Sequence, residues 1–325
     1  MATIHVRHLR KQYRTSRRPH DVLGGLRALL GRDSIVVCAL DDVSFDIEEG
    51  ECVGYIGQNG AGKSTTIKLL TGILVPDGGE IEVAGLVPWR QRERNALNIG
   101  AVFGQRTQLW WDLPLIDSFE LIGQMYRIPR ARYRRNLDHF VDLLDMAAFI
   151  ETPVRQLSLG QRMRGDLVAA MLYEPRILYL DEPTIGLDVL ARERIRLFLE
   201  EINRTGRTTI VLTTHDLRDV ERLCRRVLLI DHGRLLYDGA VDELKKVHAS
   251  YRLLTVETIH AGIVVTVPGA EVIRREGAKT WLRFCPEQHS VAELIADVTR
   301  RYEIADLAVA EPELEAVVRG IYEGL

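Results

Sequence analysis

The chain has 325 residues, of which 46% are apolar and 27% charged, and its formal net charge at pH 7 is −3. This composition is typical of a globular protein with one large or two ordinary domains, and it lacks the positive charge expected of a nucleic-acid-binding protein. No apolar run is long enough to span a bilayer, so any function at a membrane would require another chain to do the spanning.

The first part of the chain is predicted to be rich in strands. Alternating apolar residues predict a strand over 1–14, and further strands are expected at 35–39, 43–47 and 51–56. The intervening insert, 15–34, is basic and contains leucines. Its pattern fits a short amphipathic helix at an anionic membrane surface or against a partner, and it fits a solvated loop equally well.

The predicted secondary structure changes twice along the rest of the chain. A helical pattern runs from about 113 to 150, and from 176 onward predicted strands and helices alternate, which favours a parallel sheet with right-handed crossovers. After about 245 the composition shifts, with strands expected at 251–257, 262–270 and 279–285. Two further helices and a strand follow them, so a small α+β domain is expected there.

The stretch GQNGAGKSTT at 57–66 follows a predicted strand and opens a predicted helix. Gly57, Gly62, Lys63 and Ser64 match the pattern G-x-x-x-x-G-K-[ST] of phosphate-binding loops. Glycines allow the backbone to turn tightly and point its N–H groups inward, where the helix N-terminus also favours an anion. Lys63 is therefore expected to reach the β- and γ-phosphates of a nucleotide, and Ser64 to bind Mg²⁺.

Two further groups are expected at the same edge of the sheet. Asp181 and Glu182 follow an apolar strand, and adjacent residues on a strand point in opposite directions, so the two carboxylates should have different roles. Asp181 suits Mg²⁺, whereas Glu182 suits an attacking water as general base or orienting group. His215 ends the next apolar strand, close enough for its imidazole to donate to a γ-phosphate oxygen.

Together with these motifs, three shorter ones make the chain resemble the ATP-binding subunits of ABC transporters over about residues 1–240. VFGQ at 102–105 resembles the Q-loop of that family, LSLGQ at 157–161 its signature, and GLD at 186–188 its D-loop. The resemblance implies an α/β P-loop NTPase fold with a mixed sheet core, an antiparallel β subdomain and a helical subdomain. The implied ATP-binding cassette covers residues 1–244, with the helical subdomain at about 106–170, and a small α+β domain covers 245–325.

The resemblance also implies roles for individual residues, with ATP and Mg²⁺ as ligands. The catalytic set is Glu182, His215, Gln105 and Asp188, and the metal set is Ser64, Gln105 and Asp181. The nucleotide set is Tyr13, Gly57, Asn59, Gly60, Gly62, Lys63, Ser64, Thr65, Ser158, Gly160 and Gln161. In this family the signature segment serves the ATP bound by a second copy, so a homodimer is expected. Leu159 stands where the family has glycine, and it adds bulk without removing a hydrogen-bond donor.

The residues after Gln105 resemble those of cassettes that serve separate ABC-2-type membrane subunits, mostly exporters. Trp110 and Trp111 are the expected contacts of a permease, although either could instead belong to the core. The expected protein is a peripheral ATPase on the cytoplasmic side of the cell membrane, with no nucleic-acid partner and no metal cluster. A soluble regulatory ATPase without a permease and an importer ATPase are the alternatives. The C-terminal domain is expected to serve dimerisation or regulation.

Overall fold

The computed structural model describes residues 2–16, 34–104, 106–248 and 251–323. Most of the predicted insert, 17–33, and the predicted site residue Gln105 therefore lie outside the described residues. By its contacts the chain divides into two units, Met1–Asp238 and Gly239–Leu325. A search of the described ranges finds no helix with the length and apolar content needed to cross a membrane.

The described elements are as follows, in chain order. The strands are β1 (Ala2–Ser16), β2 (Ser34–Glu48), β3 (Cys52–Gly57), β4 (Gly78–Val83), β5 (Ile99–Phe103), β6 (Ile177–Asp181), β7 (Thr209–Thr213), β8 (Arg226–Asp231), β9 (Arg234–Ala240), β10 (Arg252–Thr258), β11 (Ala270–Glu276), β12 (Lys279–Phe284) and β13 (Ile304–Ala310). The helices are α1 (Lys63–Leu70), α2 (Arg92–Ala96), α3 (Leu115–Met125), α4 (Arg130–Leu143), α5 (Leu159–Met171), α6 (Val189–Thr205), α7 (Leu217–Leu223), α8 (Val241–His248), α9 (Val291–Arg301) and α10 (Leu314–Glu323), with a 3₁₀ turn at Val154–Gln156.

A six-stranded sheet forms the centre of the first unit. Its strand order is β5-β6-β7-β3-β8-β9, and the pairs from β5 to β8 are parallel. Nearly all residues of β3, β6 and β7 are buried, as in strands covered on both faces. Because these three strands are neighbours, their carboxyl ends bring Gly57, Asp181 and Thr213 to one edge. The parallel sheet predicted from the alternating pattern is confirmed.

An antiparallel sheet of order β2-β1-β4 accompanies the central sheet. The two short strands expected at 35–39 and 43–47 are one strand, β2, because register shifts against β1 absorb the break in apolar alternation. Ile4 and Ile47 of this sheet share one buried cluster with Tyr55 of β3 and Ile67 of α1. The α/β cassette fold expected from the resemblance is confirmed by this mixed architecture.

The helical part of the first unit contains α3, α4 and α5. Phe119, Phe140 and Leu167 are fully or nearly fully buried and provide one apolar anchor on each of these helices. The helical pattern predicted over 113–150 is thus two helices, and they are separated by a short connection in which Arg127 adopts a positive φ.

The second unit has a four-stranded antiparallel sheet of order β11-β12-β10-β13. Leu254 and Leu282 from the sheet and Leu294 and Val298 from α9 form its apolar core. The strand predicted at 262–270 is wrong. Its apolar residues do enter the core, but Pro268 and the left-handed Gly269 interrupt an extended conformation, and the pairing strand begins only at Ala270.

Candidate nucleotide site

The loop between β3 and α1 requires glycine for two different structural reasons. A Cβ atom on Gly57 would lie 2.3 Å from the carbonyl oxygen of Ile230, so no side chain fits between these strands. Gly62 has φ +112°, a left-handed conformation, and a Cβ there would lie 2.6 Å from the carbonyl oxygen of Ala39. The two glycines of the sequence pattern are therefore required by the conformation of the loop that leads into α1.

Lys63 places a cation at the base of this loop. Its Nζ donates to the carbonyl oxygens of Gly57 at 2.6 Å and Gln58 at 3.1 Å, and the residue is only 7% exposed. Burial lowers the pKa of Lys63, while the nearby carboxylates of Glu182 and Asp181 oppose that shift. The ammonium group is thus held by two carbonyl oxygens of the loop.

The carboxylate of Asp181 accepts hydrogen bonds from two hydroxyl groups. Ser64 Oγ donates to Asp181 Oδ1 at 3.2 Å, and Thr213 Oγ1 donates to the same oxygen at 2.6 Å. These are oxygen ligands of the kind that Mg²⁺ prefers, and Mg²⁺ typically binds one or two protein oxygens together with substrate phosphates and water. Within the described ranges no group of three or more His, Cys, Asp or Glu residues could hold a metal by itself. The oxygen atoms of Ser64, Thr213 and Asp181 fit a magnesium ion.

Glu182 and His215 form a pair beside the magnesium residues. His215 Nδ1 and Glu182 Oε2 are 2.6 Å apart, and the His215 backbone N–H reaches the same carboxylate oxygen at 3.4 Å. Glu182 has φ +58°, an unusual left-handed conformation for a residue that is not glycine. The two carboxylates have different partners, since Asp181 accepts from Ser64 and Thr213 whereas Glu182 contacts His215.

These groups line an open cleft of about 460 Å³. Its lining residues are Ala39, Asn59, Gly60, Gly62, Lys63, Ser64, Thr65, Glu182, Ile185 and His215. Tyr13 is not part of this lining; it is paired with Val37 on the antiparallel sheet, and the Nζ of Lys11 lies 5.8 Å from its ring centre. The structure therefore brings most of the predicted phosphate-binding residues together, but Tyr13 is not among the residues that line the cleft.

The signature segment does not line this cleft. Ser158 is the N-cap of α5, where its Oγ accepts from the Gln161 N–H at 3.2 Å and the Gln161 side chain accepts from the Ser158 N–H at 2.9 Å. Gly160 packs against α6, since a Cβ there would be 2.8 Å from that of Ala191. Leu159 is 39% exposed, and its Cδ2 lies 3.3 Å from the position that a Cβ of Gly186 would occupy.

Asp188 and the residues around it hold the D-loop to neighbouring helices. Asp188 is the N-cap of α6 and accepts from the Ala191 N–H at 2.8 Å. Nearby, the buried carboxylate of Asp219 accepts from Thr184 Oγ1 at 2.8 Å and pairs with Arg196. The loop after Glu182 is therefore fixed to α6 and α7 on both sides.

Sequence reasoning missed three residues of this region: Thr213, Asp166 and Asp219. Thr213 lies directly opposite Asp181 in the parallel register of β6 and β7, so it would have been found by aligning the ends of the two strands. Asp166 lies inside α5, and no sequence signal indicated that its carboxylate meets the segment after Gln105. Burial raises the pKa of Asp166 to about 6, against the opposing effect of hydrogen bonds from Gln108 and Thr107.

Asp166→Asn is expected to change how stability depends on pH. Because the folded-state pKa of about 6 exceeds the ordinary value of 3.8, Asp166 favours folding most below pH 4 and loses that contribution as the pH rises through 6. Asparagine does not titrate. Between pH 4 and pH 7 the variant should therefore gain about 2 to 3 kcal/mol in unfolding free energy relative to the wild type. Denaturant titrations across this range measure the gain, and parallel pH curves for the two proteins would contradict it.

The chain is similar to known proteins in both sequence and structure. The family model described as ABC transporter matches residues 40–185. The Nod factor export ATP-binding protein I of Ralstonia nicotianae is 34% identical over 68% of this chain and 67% of its own length. The ABC transporter ATP-binding protein NatA of Bacillus subtilis is 32% identical over 64% of this chain and 85% of its own length. A solved ATP-binding subunit of an ABC transporter matches with a TM-score of 0.63 at 26% identity, covering 75% of this chain and 92% of that one.

Proposed function

This chain belongs to the ATP-binding subunits of ABC transporters, which bind and hydrolyse ATP with Mg²⁺, and we propose that it powers a separate exporter-type permease as a homodimer. The observation that carries the proposal is that Lys63, Ser64 and Glu182 line one cleft and that Ser64 donates to Asp181 behind them. It supports in-line attack of water on a γ-phosphate that the loop holds in place.

Each residue of the cleft has a proposed role in hydrolysis. The backbone N–H groups of the glycine loop and the Lys63 ammonium bind the β- and γ-phosphates. Ser64 and Asp181 would hold Mg²⁺, which would supply positive charge that stabilises the negatively charged phosphates. Glu182 accepts the proton of the attacking water, and His215 orients the Glu182 carboxylate by donating to it from Nδ1. Gln105 is proposed to contact the metal and the water, Asp188 to act across the dimer interface, and Tyr13 to stack on the adenine.

A second copy of the chain is proposed to complete each site. Ser158, Gly160 and Gln161 do not line the cleft of their own chain, and Ser158, at the N-terminus of this segment, is exposed. Val189 and Leu190, which follow Asp188, are 82% and 76% exposed. Large apolar side chains that are so exposed favour burial against a partner. In a two-fold dimer the same surface serves both copies, so each nucleotide would meet the Ser158 hydroxyl and the Gly160 N–H of the partner.

Mixing two inactive variants tests whether the sites are shared. Lys63→Ala removes the ammonium group that is proposed to bind phosphate. Ser158→Asp keeps a side-chain oxygen that can cap the helix, but it places a negative charge against the phosphate of the partner's site. In a shared dimer, half of the dimers in an equimolar mixture pair the two variants and contain one intact site, so about one quarter of the wild-type ATPase rate should return.

Two results decide this test. Ser158→Asn, which is neutral and keeps the cap, serves as the matched control and should retain most of the rate. If the mixture remains as inactive as each variant alone, although subunits exchange, the site is contained in one chain and the proposed dimer is wrong.

The permease is proposed to contact the segment from Gln105 to Trp111. Trp110 and Trp111 are both exposed, and the Arg162 guanidinium lies 5.0 Å from the Trp111 ring centre. Exposed aromatic side chains on a rigid support are typical anchors of a protein interface. The relatives named for export favour an exporter, with this subunit held peripherally at the membrane. The second unit, Gly239–Leu325, is proposed to serve dimerisation or regulation.

Substituting the two tryptophans tests the permease contact. Trp110→Ala with Trp111→Ala should leave the ATPase rate of the purified subunit unchanged while reducing its recovery with membranes that contain its permease, since the aromatic anchors are lost. Unchanged recovery would contradict this contact, and a wild-type protein that binds no membrane subunit would favour a regulatory ATPase instead.

A further inference from the structure

A second cleft of the first unit lies between α3 and α4, in its helical part. It is open to solvent and has a volume of about 620 Å³. Arg127, Arg130 and Arg134 line it, and Glu120 is the acidic residue among the lining side chains. Positive charge therefore exceeds negative charge on the walls of this cleft.

The three arginines of the cleft are exposed and are not neutralised by a partner. Within the part of the chain that the structure describes, no carboxylate forms an ion pair with any of them. By contrast, Arg132 and Arg135 of the same helix both reach Glu174, at 3.8 and 3.7 Å. A guanidinium group without a carboxylate partner offers several N–H donors in one plane, which is the geometry that binds phosphate oxygens.

The first turn of α4 adds neutral hydrogen-bond donors beside these charges. Pro129 precedes the helix, and among the described residues no side chain caps it and no acid lies in its first turn. The first N–H groups, which begin at Arg130, therefore favour an anion. Burial, together with the Glu120 carboxylate, raises the pKa of Tyr133 to about 12. The Tyr133 hydroxyl thus keeps its proton and can also donate.

Apolar groups lie next to the same charges. Ile128 and the ring of Tyr133 line the cleft, and a Cβ on Gly123 would lie 2.8 Å from Tyr133 Cδ2, so the ring packs closely on α3. Met125, at the end of α3, is 66% exposed. Basic residues around exposed apolar side chains are typical of surfaces that lie at the headgroup level of a membrane.

We propose that the cleft between α3 and α4 binds the headgroup of an anionic phospholipid, with its phosphate held by Arg127, Arg130 and Arg134. The inference rests on the proposed function, because a subunit that powers a permease works at a lipid surface. A soluble phosphate would satisfy the arginines but would leave Met125 in water. The described lining residues of this cleft and of the nucleotide cleft do not overlap, so lipid and nucleotide can be bound together.

Cosedimentation with lipid vesicles tests this site. The wild type should bind vesicles that contain phosphatidylglycerol and should not bind vesicles of phosphatidylcholine alone. Arg130→Gln with Arg134→Gln should weaken this binding about tenfold or more, since each basic residue at an anionic surface contributes about fivefold. The matched control is Arg132→Gln with Arg135→Gln, which removes the same charge from the same helix. It should weaken binding by at most about threefold, because both side chains already pair with Glu174.

Glu120→Gln makes the opposite prediction. It removes the acid from the walls of the cleft and should strengthen binding to the phosphatidylglycerol vesicles about fivefold. All of these variants should hydrolyse ATP in solution at the wild-type rate, which also shows that they are folded. A wild type without ATPase activity would count against the proposed function, whereas the vesicle measurements decide the lipid site.

Three results would overturn the inference. Equal losses in the two double variants would mean that the protein is attracted to vesicles by its charge and has no site for a headgroup. Binding of polyglutamate with the same arginine dependence, and no binding of vesicles, would assign the cleft to an acidic protein segment. Binding of inorganic phosphate with that dependence, again without vesicles, would assign it to a soluble anion.

Discussion

Glu182→Gln is expected to leave ATP binding intact while lowering turnover by about 10²- to 10⁴-fold, the usual contribution of a general base. Glutamine has nearly the same size as glutamate, and its amide oxygen can still accept from the His215 ring at the position of the present 2.6 Å contact. It cannot take a proton from water. The phosphate-binding groups and the magnesium residues are unchanged, so the variant should accumulate the ATP-bound state.

Two measurements check this result together. Equilibrium binding of a fluorescent ATP analogue should give a Kd within about threefold of the wild type, while phosphate release should fall to near the background rate. The matched control is Glu174→Gln, an exposed acid shortly before β6 that pairs only at 3.7 and 3.8 Å with two arginines. Turnover close to the wild-type rate in Glu182→Gln would remove Glu182 from the proposed mechanism.

The same variant also tests assembly. If two chains close on ATP and separate only after hydrolysis, Glu182→Gln with ATP and Mg²⁺ should sediment as a dimer at concentrations where the wild type is monomeric. Addition of ADP in place of ATP should give no such dimer. A monomer under all of these conditions would contradict ATP-driven dimer closure while leaving the catalytic role of Glu182 untouched.

The glycine loop that is proposed to hold phosphate could be predicted from sequence, because its residues lie in one short stretch of chain. Gly57, Gly62, Lys63 and Ser64 are constrained by their spacing alone, and the structure places all four around one loop. The sequence likewise placed Asp181 and Glu182 at the end of one strand. The resemblance to a known family then predicted the roles of these residues and the fold of the cassette.

Contacts between distant segments could not be predicted in this way. From the sequence, Asp166 is only a polar residue in a predicted helix. The tertiary structure is needed to show that Thr107, 59 residues away, donates a hydrogen bond to its carboxylate. The strand expected at 262–270 failed for a related reason. Val265 and Val267 alternate as in a strand, and both are buried in the core. Burial alone does not make a strand, however, and the segment that pairs with β12 begins only at Ala270.

Lys63→Ala is expected to weaken ATP binding about 100-fold, which corresponds to ~3 kcal/mol for a lost hydrogen-bonded charge, and to abolish measurable turnover. Lys68→Ala, on the same helix but outside the loop, is the matched control and should bind ATP normally. Lys63→Arg should also fail, because a planar guanidinium fork differs in shape from the compact ammonium that donates to two carbonyl oxygens at 2.6 and 3.1 Å.

The stability of Lys63→Ala should separate binding from folding. Burial lowers the pKa of Lys63, so keeping this ammonium charged inside the loop costs free energy that binding to phosphate recovers. Without nucleotide, the variant should therefore unfold at the same denaturant concentration as the wild type or a higher one. With saturating ATP and Mg²⁺ only the wild type should gain stability, because a ligand stabilises a protein in proportion to its affinity for the folded state. An equal gain in both proteins would show that the triphosphate is bound elsewhere.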